Sequence, residues 1–444
     1  MNGSTPLRLA APLAWLALLP PTARAHAAPP APPLPTPAGN TSAHALPTAI
    51  PVEIYEHRIY LPVTIDGRGP YRFCLDTGAP STCIDLSLAR MLGILEHAGG
   101  RIGGAGEGTS ERGRTSAVSL GLTGLSLRPR PLMAIDFSPL TQFQGRPIHG
   151  LIGNDFFRGR IIEIDYAAAR MTIHPAGFEY DGPGIVLPTR LHGYTFIEAL
   201  LTPPGAQPLP ARCMLDTGAG LALAATTPFA RRHRLAEAAD WSIEATTGFG
   251  VGGEVRQTLC RMEAIQLGDL RFDLPLIGLS DDRTGALATS RFDVLVGGGF
   301  LHKFRVIFDG PGRRLILEPN DAFPEPLEFD MSGLTLAAAL PPHSGLRILR
   351  VLDGSPAAEA GLRPGDILIE LDGRSVGAAD REPVRRLLRR HGEIRRLRLL
   401  RDGRLLEASI TLRRLVSAPR HEPQPPPTTT GTPLANAAAP VVTT

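Results

Sequence analysis

From about residue 52 to 320, short apolar stretches alternate with polar residues and are broken by Gly, Pro, Asp and Asn. The runs Ile59-Tyr60-Leu61-Pro62-Val63-Thr64-Ile65, Tyr71 to Leu75, Tyr194 to Leu201 and Ala211 to Leu215 have the composition of β-strands. Two further strand pairs follow, Arg160 to Ile173 and Phe304 to Leu317, and Asp309-Gly310-Pro311-Gly312 marks a turn in the second. Helical spacing is brief, around Ser87 to Leu92 and Thr227 to Arg234. The pattern predicts a mainly β protein.

The strand pattern occurs twice. Leu75-Asp76-Thr77-Gly78-Ala79 recurs as Leu215-Asp216-Thr217-Gly218-Ala219. Each copy is preceded by two strands and followed by a Gly-rich stretch, Gly103 to Gly108 and Gly248 to Gly253. Next come Leu120-Gly121 and Leu267-Gly268, then an apolar-apolar-Gly triplet, Leu151-Ile152-Gly153 and Leu295-Val296-Gly297. Order and spacing agree, so one supersecondary unit is duplicated, with lobes at about 52–185 and 186–320. A duplicated Asp turn suggests one site made of two facing carboxylates. Like charges about 3 Å apart do not both ionise easily, so such a pair shares a proton and offers one acid and one base. That suits water attack on a peptide bond.

Leu-Asp-Thr-Gly-Ala followed by the later apolar-apolar-Gly, both present twice, resembles the retropepsins, the retroviral-type aspartic peptidases. The resemblance covers roughly 52–320 and implies that two β-lobes close one pseudo-twofold active site within a single chain. It implies Asp76 and Asp216 as the catalytic dyad, supported by Thr77, Gly78, Thr217 and Gly218. The threonines would hydrogen-bond across the lobe interface. The glycines would let the turns approach and aim backbone N–H groups at the carboxylates. The Gly-rich stretches would be flap hairpins, with Gly104, Gly106, Gly250 and Gly252 lying close to an extended substrate. Gly248 to Gly253 also spells G-x-G-x-x-G, but a strand-like run follows rather than a helix, which excludes dinucleotide binding. Ala79 and Ala219 stand where a Ser could donate to the ionised carboxylate, so the pH optimum should be less acidic than in pepsin-like enzymes. Family members often carry an acidic or polar residue next. Here Pro80 and Gly220 occupy that position, so pocket preference does not transfer.

Beyond about 330 the pattern changes. Leu346-Arg347-Ile348-Leu349-Arg350-Val351 is a strand, and Gly354 to Leu362 is a turn and short helix with Ser355 as cap, Pro356 at its first position and Gly361 as its stop. Ile367 to Leu371 is a second strand, Arg381 to His391 a second helix, and Asp402-Gly403 a hairpin turn. Residues 333–416 resemble a PDZ domain of the bacterial HtrA type, an α+β module. The resemblance implies binding of an extended peptide, often a free C-terminus, by strand addition, with Gly345, Leu346 and Ile348 in the binding segment.

The termini differ in character. Arg8, the apolar run Leu9 to Leu19 and Ala23-Arg24-Ala25 have the order of a secretory signal over residues 1–25, which predicts export, with a bacterial periplasm as destination. Residues 26–51 are Pro/Ala-rich and read as an unstructured linker; 417–444 are Pro/Thr/Ala-rich and read as a disordered tail. In an oxidising compartment Cys74, Cys83, Cys213 and Cys260 could form up to two disulfides or remain buried thiols. Their spacing does not suit a metal, and the proposed chemistry needs neither metal nor other cofactor.

A net charge of +3 gives no sign of a nucleic-acid partner. The arginines from Arg385 to Arg398 read as a solvated helix face and strand edge, with an anionic-lipid or nucleic-acid patch as the alternative. The chain lacks G-x-S-x-G and H-E-x-x-H, which disfavours serine and zinc hydrolases. Two readings stand: an exported, monomeric aspartic endopeptidase acting on peptide or protein substrates, with a PDZ module; or a peptide-binding protein that uses the same scaffold without cleavage.

Overall fold

A computed structural model describes residues 47–191 and 193–417. The signal-like segment 1–25, most of the linker and all but the first residue of the tail lie outside the described residues. The protein is mainly β, as its alternation predicts. Among the described residues no helix is long and apolar enough to cross a membrane.

The two lobes share a construction. In the first, Arg68–Leu75 lies parallel to Gly150–Ile152, with Leu75 opposite Ile152. In the second, Leu209–Asp216 lies parallel to Val294–Gly297, with Leu215 opposite Val296. Each apolar-apolar-Gly triplet is therefore the strand beside the strand that ends in the Asp turn. Cys83–Asp85 and Leu223–Ala225 run antiparallel on the other side of those triplets. The short helices after each turn are Leu86–Met91 and Thr227–Arg232.

The lobes are joined by a six-stranded antiparallel sheet to which both contribute. Its order is Thr48–Pro51, Arg170–His174, Ile161–Asp165, Phe304–Asp309, Arg314–Pro319 and Ile185–Pro188. The repeat-equivalent strands Ile161–Asp165 and Phe304–Asp309 pair at its centre, Ile164 opposite Val306. Ile162, Ile164, Val306, Ile307 and Phe308 are all buried, because this central pair is covered on both faces and its strands become apolar runs. One continuous hydrophobic core runs through both lobes and this sheet. The sheet also corrects the linker boundary: Thr48–Pro51 is an ordered edge strand paired to Arg170–His174, and Ile50 is fully buried. Burying Ile50 there outweighs the chain-breaking composition around it.

The C-terminal domain has its own core. Its sheet runs Leu334–Ala338, Leu346–Val351, Ile367–Leu371, Ile394–Arg401 and Arg404–Thr411, the last two turning at Asp402-Gly403. Ser355 Oγ accepts from Ala358 N at 3.3 Å and caps Pro356–Glu359, as its sequence predicts. The second helix is shorter than its sequence suggests, Arg381–Leu387. The domain packs on the first lobe through the helix Ser138–Gln144. At Gly145, φ is +70° and a Cβ would lie 2.1 Å from the Ala378 carbonyl oxygen, so only glycine allows this approach.

Candidate active site

The two Asp turns meet on the pseudo-twofold axis. Thr77 Oγ1 donates to the Leu215 carbonyl at 2.8 Å and accepts from Thr217 N at 3.0 Å. Thr217 Oγ1 donates to the Leu75 carbonyl at 2.7 Å and accepts from Thr77 N at 3.1 Å. Both threonines are fully buried, and each serves backbone groups that would otherwise be orphaned in the core. Replacing Thr77 by Ala leaves the Leu215 carbonyl and the Thr217 N–H without partners, so we expect a loss of roughly 2–5 kcal/mol in denaturant unfolding. Thr77→Ser keeps the hydroxyl and should lose far less. Equal losses in the two variants would show that the methyl group, not this network, holds the turns.

Each turn presents its carboxylate to the other. Asp76 Oδ1 accepts from Gly78 N at 2.9 Å and Ala79 N at 3.0 Å; Asp216 Oδ1 accepts from Gly218 N and Ala219 N at the same distances. A Cβ on Gly78 would stand 2.4 Å from Asp216 Cγ, and one on Gly218 would stand 2.4 Å from Asp76 Cγ. The glycines are thus required by the packing of each turn on the opposite carboxyl. Gly153 and Gly297 act one layer further out. A Cβ there would lie 2.3 Å from the Ser81 carbonyl carbon or the Leu221 carbonyl oxygen, so the triplet's glycine gives room to the loop after each turn.

The carboxyl groups of Asp76 and Asp216 lie within hydrogen-bonding reach of one another. Each is surrounded by protein on nearly all sides yet keeps some solvent access. Burial raises the pKa of both. For Asp76 the charge of Asp216 and the hydrogen bond between them push further upward, well above the usual carboxylate value. For Asp216 the upward push of burial is opposed by the hydrogen bond from Asp76, by its turn N–H groups and by the guanidinium of Arg58.

Sequence reasoning missed Arg58. Ile59 pairs with Leu75, so Arg58 stands beside the first Asp turn, and its Nε reaches across to donate to the Gly218 carbonyl at 2.7 Å. In the second lobe Phe196 pairs with Met214, which places Tyr194 at the equivalent position. The duplicated frame is therefore charged on one side and neutral on the other. Aligning the two repeats at these strands would have exposed the Arg/Tyr difference.

The flap glycines lie at the tips of two hairpins, Leu95–Gly103 with Thr109–Leu122 and Ser242–Gly250 with Gly253–Arg261. The tips contact one another. Gly252 N donates to the Ala105 carbonyl at 2.7 Å, and Gly108 N donates to the Gly252 carbonyl at 2.7 Å. A Cβ on Gly106 would lie 2.7 Å from the Gly252 carbonyl, one on Gly250 2.4 Å from the Ala105 oxygen, and one on Gly104 2.9 Å from Val251 Cβ. Here the glycines serve an approach of hairpin to hairpin.

The expected peptide-binding segment of the C-terminal domain needs correction. The segment Leu346-Arg347-Ile348 has no free edge: Leu334–Ala338 pairs on one side, while Ile367–Leu371 and the Ile348 N to Asp366 carbonyl bond (2.8 Å) occupy the other. Leu346 and Ile348 are fully buried in the domain core, and Gly345, at φ +125°, packs against the Leu368 carbonyl. The edge beside the Arg381–Leu387 helix is Leu334–Ala338, which the sequence reading did not recognise. Arg381 Nε donates to the Leu336 carbonyl at 2.7 Å, and its guanidinium lies 3.9 Å from the ring centre of Phe143, on the first-lobe helix. All four cysteines are buried thiols.

Comparison with known families matches residues 61–156 to the Aspartyl protease family and residues 347–401 to the PDZ domain family. A comparison with curated proteins gives no match. Among solved structures, the aspartic proteinase from Irpex lacteus is similar to this chain at 12% identity, over 63% of this chain and 99% of that one, with a TM-score of 0.41.

Proposed function

We propose that this chain, whose first lobe matches the Aspartyl protease family and whose C-terminal domain matches the PDZ family, is an aspartic endopeptidase that hydrolyses peptide bonds between Asp76 and Asp216. The observation that carries the reading is the reciprocal geometry of the two turns, in which each glycine abuts the opposite carboxyl.

Arg58 divides the labour of the dyad. Its charge favours ionisation of Asp216, and the charge of Asp216 in turn holds the proton on Asp76. A water between them loses its proton to Asp216 as its oxygen attacks the scissile carbonyl. Asp76 donates to the developing oxyanion. Collapse of the tetrahedral species expels the amine, which takes the proton held by Asp216 while Asp76 regains its own, and leaves a new carboxyl group. The segment 1–25 supports export, and the PDZ match of the C-terminal domain supports recruitment of peptide ends.

Activity requires one proton on the pair. Loss of that proton sets the basic limb of kcat/KM, and its pKa lies well above the ordinary aspartate value of about 3.9. The profile should be bell-shaped with its maximum above pH 4. A maximum below about pH 3 would contradict this assignment. The enzyme reading is tested by incubating the protein with a peptide library. Cleavage that Asp76→Asn abolishes supports it, whereas tight binding without cleavage supports a peptide-holding protein.

A further inference from the structure

A cavity of about 550 Å³ lies between the second lobe and the C-terminal domain. Gly220 and Leu221, directly after the second Asp turn, form one wall, and Thr247 and Gly248 of the second hairpin form another. The third wall is the region of the Arg381–Leu387 helix, including Arg385, Arg386 and Arg389. Asp76 and Asp216 do not line it, but the segment that leaves the second Asp turn does.

The cavity has a surplus of positive charge. Glu56 is the one buried acceptor for three guanidinium groups: Arg58 at 3.2 Å, Arg385 at 3.3 Å, and Arg381 in direct contact. Arg389 has no carboxylate within 4 Å among the described residues. Its one hydrogen-bond contact is with His57 Nε2 at 3.4 Å, and its Nε is buried without a partner. His57 and His302, with ring centres 4.2 Å apart, are held neutral by burial and add no charge to the cavity. Lys303 Nζ donates to two backbone carbonyls, those of Ala322 and Glu325. Of the acidic residues lining the cavity, Glu328 is taken by Arg261 and Arg414, and Glu325 and Glu382 make no ion pair among the described residues. Asp330, Glu56 and Glu382 act on Arg389 only from a distance, so its largely buried guanidinium has no carboxylate in contact; that is costly, and its planar donors match a carboxylate.

We infer that this cavity is a carboxylate-binding subsite, in which Arg389, flanked by Arg385 and Arg386, receives the anionic group of a peptide lying in the cleft. The anion is either a free C-terminus or an Asp or Glu side chain. The inference rests on the peptide-cleft reading above but not on turnover.

The test is binding to the full-length Asp76→Asn protein, read by fluorescence anisotropy with N-terminally labelled hexapeptide pools. One pool has neutral side chains and free C-termini, one is the same pool amidated, and one is amidated with a single Glu. At least one carboxylate-bearing pool should bind about tenfold or more tighter than the neutral amidated pool, and which one does so identifies the source of the anion. Arg389→Gln should erase the preference, and Arg389→Lys should keep part of it. Arg386→Gln, at an exposed position the fold tolerates, should weaken the preference several-fold even if Arg389→Gln fails to fold. Equal binding of all pools, or no binding by any, overturns the inference. So does a preference that survives in folded Arg389→Gln, which would place the carboxylate in the C-terminal domain's own groove. If the wild type cleaves nothing yet the Arg389-dependent preference is present, the subsite stands and the enzyme reading alone fails.

Discussion

Asp76→Asn and Asp216→Asn should each lower kcat/KM for peptide hydrolysis on the order of 10⁴-fold, and the double variant should be little worse than either single one. The two carboxylates work as one unit, so removing either removes nearly all of its benefit. Asn keeps the shape and can still accept from the turn N–H groups at 2.9–3.0 Å, so the loss would reflect chemistry rather than unfolding. Stability should move the other way. The pKa of Asp76 is raised on folding, so its protonated form favours the folded state, and that contribution is fully present below the unfolded pKa of about 3.9. It is lost as pH rises through the folded value. At neutral pH the native dyad is therefore under electrostatic strain, and Asp76→Asn should unfold at a higher temperature than the wild type. A variant that is both inactive and less stable would indicate that the carboxylates are structural.

Glu56→Gln should cost about 3–5 kcal/mol in denaturant unfolding, the largest stability loss expected from any single charged residue here. Glu56 is buried and receives Arg58 from its own hairpin and Arg381 and Arg385 from the C-terminal domain. Burial alone would raise its pKa, but the three guanidinium groups outweigh that and hold it far below the ordinary glutamate value. Its folded pKa is thus depressed, so its stabilisation is complete above the unfolded value near 4.3 and declines as pH falls from there toward the folded value. The wild type should lose stability across that acid range faster than Glu56→Gln does. The same residue joins the two functional parts, so hydrogen exchange in Glu56→Gln should rise along Leu334–Ala338 and Arg381–Leu387. Unchanged stability and exchange would mean that solvent, not Glu56, balances those arginines.

The parts legible in the sequence are those written as local backbone requirements. Asp-Thr-Gly-Ala occurs twice because each turn needs both the carboxylate and a residue without Cβ, and Leu151-Ile152-Gly153 and Leu295-Val296-Gly297 mark the neighbouring strands for the same reason. The turn-helix of the C-terminal domain is legible through Ser355, Pro356 and Gly361. What escaped depends on partners far along the chain. Thr48–Pro51 is a strand only because Arg170–His174 offers an edge. Leu334–Ala338 displaced Leu346–Val351 from the edge position; the turn before it, Asp330-Met331-Ser332-Gly333 with Gly333 at φ +82°, was a signal the sequence reading passed over.

The Glu56-His57 turn is the clearest case of hidden information. Both residues have positive φ, +50° and +62°, in the two-residue hairpin between Glu53–Tyr55 and Arg58–Ile65. Such turns favour Asn or Gly, and neither is present. The strain is held by the arginines that Glu56 collects, so an unfavourable local sequence marks the junction where lobe, dyad and C-terminal domain meet. The helix Ser138–Gln144 was recoverable in part: Pro139 near its start and Gly145 with φ +70° at its end are ordinary boundary signals.

The most direct measurement is to incubate the folded wild-type protein and Asp76→Asn with denatured protein in ¹⁸O-labelled water at pH 4–7, and to read new termini by mass spectrometry. The account predicts internal cleavages by the wild type, each new carboxyl group carrying one solvent oxygen, and none by the variant. No new termini from folded wild-type protein, or the same termini from Asp76→Asn, would contradict it.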